Sequence, residues 1–432
     1  MRRSITALVA VATLAGVTMA ATQSARVTAP TPRVIVGVMD QPMNPYHSWF
    51  HADGALYNGT APSSVTPALL AELGVDAAHQ LRLTRSGDWA ADHAADAELW
   101  ERVNDQALYW FVGTNVLAIS FDEADELNLL PDDDAESHGT GTSGAVLAAN
   151  PDAVVIVMDP FTSVPGEKWM NEHADIDVLS ASYGWIFGAP VPMHADASHD
   201  GVVTMGKLFV GAAGNQPSPD QQSQAGGAWW QIGVSGYHEA SSEGQEPLSG
   251  LTPDFVGDFS QDLPRCGQCP DEVAPYSGTS FSTPRAAGTI SRVILEARRH
   301  AGHLGGIVTD GVDQPVMVRG RGLEVTNWQV RRALEDAAWV PTTEDWNPGA
   351  SYPINDLYPW PQVGWGVLTP DPSRNVISQA LAHLGVGGEP TRFKPAQACD
   401  FMTANQDLRR AYWNSLPTSD SFLTGDDPYL AC

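Results

Sequence analysis

One serine in this chain sits where a nucleophile could be made. Ser277-Gly278-Thr279-Ser280-Phe281-Ser282-Thr283-Pro284 runs directly into the small-residue stretch Arg285-Ala286-Ala287-Gly288-Thr289-Ile290. Proline suits the first turn of a helix, where its missing N–H has no partner to lose. The pattern therefore predicts a helix over 282–299 with Pro284 in its first turn. Ser280 would then lie where the orphan N–H groups and the helix dipole favour negative charge. A hydroxyl nucleophile also needs a base. Among twelve histidines, His138 stands apart because it opens Ser137-His138-Gly139-Thr140-Gly141-Thr142-Ser143-Gly144, where glycines let another backbone come close. An acid to orient that base is available in Asp40, at the end of the apolar run 34–39 (VIVGVM). Taken singly, these residues read equally well as a helix cap, a helix-start histidine and a turn acid. Together they supply a nucleophile, a general base and an orienting carboxylate, the parts required for acyl transfer.

The elements that must position them are legible as apolar runs without strict alternation: 34–39, 116–121 (VLAISF), 154–158 (VVIVM), 178–182 (VLSAS) and 208–213 (LFVGAA). Continuous runs of this kind suit parallel strands buried on both faces by helices. Helices are predicted over 138–149, 282–299 and 327–338, the last opening after Thr326 with Val330, Leu334 and Ala338 on one stripe. The chain order implies an α/β three-layer sandwich with a mainly parallel central sheet. Asp40 then falls at a strand's carboxyl end, where the active sites of such sheets gather.

With these motifs in the order Asp40, His138, Ser280, the chain resembles the subtilisin-like serine proteases, the subtilases. The match rests on His138-Gly139-Thr140 with Gly144, on Gly278-Thr279-Ser280 with Ser282 and Pro284, and on Gly211-Ala212-Ala213-Gly214-Asn215. It rests also on Ser182-Tyr183-Gly184 and, more weakly, on Val363-Gly364-Trp365-Gly366. The resemblance implies a secreted serine endopeptidase acting on protein or peptide substrates through an Asp40-His138-Ser280 triad and an acyl-enzyme. Asn215 would be the oxyanion donor, and Ser182, Tyr183 and Gly184 the edge against which extended substrate pairs. No cofactor is needed for that chemistry; structural calcium occurs in subtilases, and Asp132-Asp133-Asp134 is a candidate, although solvated loop acids are the plainer reading.

Three departures from the family pattern stand out. Asp40 is followed by Gln41-Pro42 where most relatives carry Ser or Thr and then Gly. The 98-residue step from Asp40 to His138 implies an insert at about 41–137, rich in aromatics (Trp89, Trp100, Tyr109, Trp110), that would form a packed subdomain or a cleft wall. About ten residues lie between the expected leader cleavage and the first strand, too few for the pro-domain of many secreted relatives. Two rival readings follow: a catalytically degenerate subtilase-like binding or scaffold protein, and an acid-acting serine-carboxyl peptidase, which would use Glu in place of His138.

Composition narrows the remaining classes. The 432 residues carry 51 acidic and 23 basic side chains, a formal charge of −28, which repels nucleic-acid backbones. Arg2 and Arg3 precede an apolar stretch over 4–21 with small residues around Ala20, Ala21 and Ala25, a signal peptide over 1–21. No later apolar stretch is long enough to insert stably in a membrane. The expected organisation is a signal, a catalytic domain over 33–386 and a loop-rich C-terminal tail over 387–432. The four cysteines of an exported chain read as disulfides, with Cys266–Cys269 and Cys399–Cys432 the favoured pairing of three. His47 and His51 have no third metal ligand in sight, Asn58-Gly59-Thr60 is a glycosylation pattern only where the source glycosylates, and Trp229-Trp230 reads as core or cleft wall.

Overall fold

The apolar runs form the middle of a nine-stranded sheet. The computed structural model describes residues 31–121, 129–159, 164–183, 192–215, 226–237, 253–340, 363–394, 396–415 and 432. The strands are β1 (Ile35–Met39), β2 (Gln80–Leu81), β3 (Leu108–Phe111), β4 (Val116–Ile119), β5 (Val154–Met158), β6 (Val178–Ala181), β7 (Leu208–Ala212), β8 (Ile232–Tyr237) and β9 (Phe255–Asp258). Their spatial order is β2-β3-β4-β5-β1-β6-β7-β8-β9. Every neighbouring pair is parallel except β3–β4. All residues of β1, β4, β5, β6 and β7 are buried, the pattern that double coverage by helices demands.

The helices are α1 (Pro67–Glu72), α2 (Trp89–Ala95), α3 (Ala97–Trp100), α4 (His138–Ala149), α5 (Val164–Glu172), α6 (Pro192–His199), α7 (Thr279–Ala301), α8 (Asn327–Ala337), α9 (Val376–His383) and α10 (Ala396–Ser415). Helices α4 and α7 pack on each other and on the sheet, while α5 brings Met170 against Gly37 of β1. This is the expected three-layer sandwich. Helix α8 starts with a reciprocal capping box between Thr326 and Gln329 and buries Val330 and Leu334.

Three expectations change. Helix α7 begins at Thr279, not at 282, so Pro284 lies in its second turn and Ser280 lies inside the helix. The insert adds β2 and β3 to the sheet beside the expected strand β4, instead of folding apart. Its aromatics pack together, with Trp100 Nε1 donating to the Tyr46 hydroxyl at 2.8 Å and Tyr109 buried. The tail is more than loop, because α10 buries Ala398, Met402 and Trp413. Both favoured disulfides are present, Cys266–Cys269 and Cys399–Cys432. The signal-peptide region, residues 1–21, lies outside the described residues. Among the described residues no helix is long and apolar enough to cross a membrane.

Two buried ion clusters lock this arrangement. Arg298, near the end of α7, holds Asp177 with two bonds of 2.7 and 2.6 Å and also donates to the carbonyls of Met317, Arg33 and Gly306. Asp177 in turn accepts the Ile35 N–H at 2.9 Å, which ties α7 to the start of β1. Asp254, before β9, accepts from Arg331 of α8 and from Gln406 and Arg409 of α10 at 3.1, 2.9 and 2.8 Å. Removing one member of a buried pair strands the other charge, at a typical cost of about 3–5 kcal/mol. Arg298→Ala should lower unfolding stability by that order in a denaturant titration. A loss under about 1 kcal/mol would mean that Asp177 is satisfied without it.

Candidate active site

The carboxyl ends of β1, β6 and β7 carry Asp40, Ser182 and Asn215, and the first turns of α4 and α7 bring His138 and Ser280 to the same edge. Asp40 is 3% exposed, and its Oδ1 meets His138 Nδ1 at 2.6 Å. A carboxylate only accepts, so the proton of this bond sits on Nδ1, and Nε2 is left as the basic nitrogen. Burial works against a charged imidazole here, but the Asp40 charge and hydrogen bond outweigh it, and the pKa of His138 is raised above its ordinary 6.5. Since the folded value is the higher one, protonated His138 contributes stability in full below pH 6.5. That contribution is lost as pH rises through the folded value.

The residues around Asp40 explain the local motifs. Where relatives offer a hydroxyl, Asp40 Oδ1 here accepts the backbone N–H of Gln41 at 2.8 Å. Its buried Oδ2 has no hydrogen-bond partner among the described residues. The chain after Asp40 runs so close to α4 that a Cβ on Gly139 would lie 1.8 Å from Gln41 O. Glycine after the histidine is thus a steric requirement of the adjoining Asp40 loop. Thr140, the next residue, accepts the Asn44 N–H at 2.9 Å and fastens the same loop.

Ser280 is held by two hydrogen bonds with Ser182. Pro284 has no N–H to offer the carbonyl four residues back, which belongs to Ser280. Ser182 Oγ donates to that carbonyl instead, at 2.8 Å, while Ser280 Oγ donates to Ser182 O at 3.4 Å. No hydrogen bond joins Ser280 to His138; such contacts are often long before substrate binds. The adjoining Phe281 meets the imidazole at 5.1 Å between ring centroids and stacks on Tyr276 at 4.2 Å.

Asn215 serves α7 directly. Gly278, with φ +142°, precedes the helix and has no side chain to cap it. Asn215 Oδ1 supplies the cap by accepting the Thr279 N–H at 2.8 Å and the Thr279 hydroxyl at 2.9 Å. Two donors on one atom identify it as the amide oxygen; Asn215 itself is exposed. Thr279 shows no capping role in the sequence pattern, because that role depends on a loop 64 residues away.

Of the expected substrate edge, Tyr183 sends its hydroxyl to Glu167 at 2.6 Å, and burial together with that carboxylate lifts its pKa well above the ordinary value. Gly184 lies outside the described residues. His47 and His51 are buried hydrogen-bonded residues, joined to Glu272 O and Pro45 O. Trp229 and Trp230 are core, the second packed edge-on against Trp413 of α10. Of the acids at 132–134, Asp133 accepts two backbone N–H groups of its own loop, and Asp134 Oδ1 accepts the Gln268 N–H at 3.3 Å. Among the described residues, the one grouping of potential metal ligands is Asp134 with Cys266 and Cys269, whose sulfurs are already joined.

Residues 31–304 match the subtilase family, and the chain belongs to it. No curated protein matches. The chain is similar to the solved structure of the prenylagaramide maturation protease PagA, with 13% identity, a TM-score of 0.43, and coverage of 82% of this chain and 95% of that one. It is similar also to a cold-adapted subtilisin-like serine proteinase, at 13% identity and TM-score 0.37, covering 61% of this chain and 76% of that one.

In Asp40→Asn the raising influence on His138 is lost while burial persists, so the imidazole should titrate below pH 6.5 by NMR; an unmoved midpoint would remove Asp40 as the cause. Asn215→Asp keeps the acceptor for Thr279, whereas Asn215→Ala loses the cap. The alanine variant should be less stable than the aspartate variant by about 0.5–2 kcal/mol in denaturant. Equal stabilities would contradict the capping role.

Proposed function

We propose that this subtilase is an exported serine endopeptidase that hydrolyses protein or peptide substrates through an acyl-enzyme. Ser280 attacks the scissile carbonyl, and His138 Nε2 takes its proton and returns it to the leaving amine. Asp40 holds the tautomer and stabilises the imidazolium. The exposed Asn215 amide and the backbone N–H of Ser280 receive the oxyanion. Extended substrate pairs with the edge at Ser182, Tyr183 and Gly184. No cofactor enters the chemistry. The single observation that carries the reading is the 2.6 Å contact between His138 Nδ1 and the buried Asp40 carboxylate, at the sheet edge where α7 presents Ser280. Two disulfides in one chain fit an oxidising, extracytoplasmic location.

A second reading, a subtilase-like binding or scaffold protein without turnover, is favoured by the lone Oδ2 of Asp40 after the change to Gln41-Pro42. Activity separates the two. On a peptide substrate, Ser280→Ala should abolish turnover while the fold persists, whereas wild-type activity in that variant would overturn the assignment. Asn215→Ala should lower kcat about 10²–10³-fold with little change in KM, a magnitude known for this donor in the family. With the His138 pKa raised above 6.5, kcat/KM should fall as pH drops through that value. Activity that instead grows toward acid pH would point to a carboxyl base.

A further inference from the structure

Acid, base and nucleophile come from segments distant in sequence, and one hairpin touches all three. Strands β10 (Ser260–Pro264) and β11 (Val273–Ser277) pair antiparallel, and the Cys266–Cys269 disulfide lies in the loop between them. The Asp40 loop docks on this loop through Asn44, which is fully buried. Asn44 Nδ2 donates to Cys269 O at 2.7 Å and Cys266 O at 3.4 Å. Its Oδ1 accepts the Tyr46 N–H at 3.0 Å, and its own N–H reaches Thr140 of α4. His47 and Ser48 add bonds to Glu272 O at 2.9 Å and Pro270 O at 2.7 Å.

The segment leading into His138 docks on the other side of the same loop. Gly267 N–H donates to Asp134 O at 3.1 Å, and the Gln268 side chain donates to Asp132 O at 2.8 Å. Tyr276 on β11 hydrogen-bonds Ser137, next to His138, and β11 then runs into the Gly278-Thr279-Ser280 turn. Resting on the triad reading above, we propose that Asn44 is a positioning residue for the reaction, and that with the Cys266–Cys269 loop it holds the Asp40 and His138 segments in register.

The Asp40 loop reaches the hairpin through Asn44, His47 and Ser48, and of these three Asn44 also bonds α4. Residues 41–44 form no regular element, and Pro42 has no N–H to donate. Asn44 donates its amide nitrogen to the disulfide loop and its backbone N–H to α4, while its amide oxygen accepts within its own loop. Its removal leaves the carbonyls of Cys266 and Cys269 without that donor and frees the loop to shift. A disulfide spanning three positions closes too short a loop to stabilise the whole fold as the 33-residue tail bridge can. Its effect is local: it sets the direction of the two carbonyls that Asn44 reads.

The test compares Asn44→Ala, Asn44→Asp and the Cys266→Ser/Cys269→Ser double variant with the wild type, using peptide hydrolysis and NMR titration of the His138 ring. The charged group against that ring is Asp40, while Tyr276 lies one ring further, stacked on Phe281. Each folded variant should lose about 10–100-fold in kcat with KM changed less than about threefold, as misplacement near 1 Å produces. The His138 midpoint should drift down from its raised value. Aspartate cannot donate to the two carbonyls, so it should behave like alanine. Should Asn44→Ala fail to fold, Thr140→Val removes the acceptor of the Asn44 N–H, and Thr140→Ser should rescue both readouts relative to it. Folded variants with wild-type kcat and an unmoved midpoint would overturn the proposal. A wild type that cleaves no peptide would overturn the peptidase reading alone, because the titration still decides whether Asn44 and the disulfide loop place Asp40 on His138.

Discussion

The hydrogen bond between His138 and Asp40 is the contact to which the surrounding structure is fitted. A buried carboxylate is costly unless partnered, and Asp40 has the imidazole and one backbone N–H to share it. Keeping a bond of 2.6 Å between the end of a strand and the start of a helix requires both to be fixed closely. Gly139 allows the two chains to touch, Thr140 fastens the loop, and Asn44 ties it to the disulfide hairpin. The residue change at Gln41-Pro42 therefore did not leave the acid unsupported. Support comes from backbone and from neighbouring segments in place of a side-chain hydroxyl.

Ser280, the proposed nucleophile, has a comparable frame at the other end of the site. Helix α7 is anchored at its far end by Arg298 on Asp177, deep beneath β1. Its near end is capped by Asn215 from beyond β7 and gripped by Ser182 from beyond β6. One amide thus caps the helix that carries Ser280. On the proposed mechanism, that cap would fix the orientation of the oxyanion donor before any substrate arrives, the condition under which such donors are most effective.

Much of this was legible in the sequence because burial on both faces leaves continuous apolar runs, and these became β1, β4, β5, β6 and β7 within a residue or two. The span of α4 was readable from its small residues although it has no amphipathic stripe, being buried on nearly every side. What escaped depends on contacts made across the fold. The start of α7 at Thr279 rests on a cap supplied by Asn215, and the carbonyl vacated by Pro284 is satisfied by Ser182. Helix α10 gave little periodic signal because its burial is paired with charge, Arg409 and Gln406 reaching Asp254. Asn44 lacked any motif; only the folded chain shows an asparagine joining three segments.

The most direct test of a triad working through Ser280 is reaction with a fluorophosphonate, which is captured by an activated serine, followed by peptide mapping of the adduct. The account predicts one label, on the peptide containing Ser280, formed faster as pH rises through the His138 pKa. Absence of a label on folded wild-type protein, or a label on another serine, would contradict it.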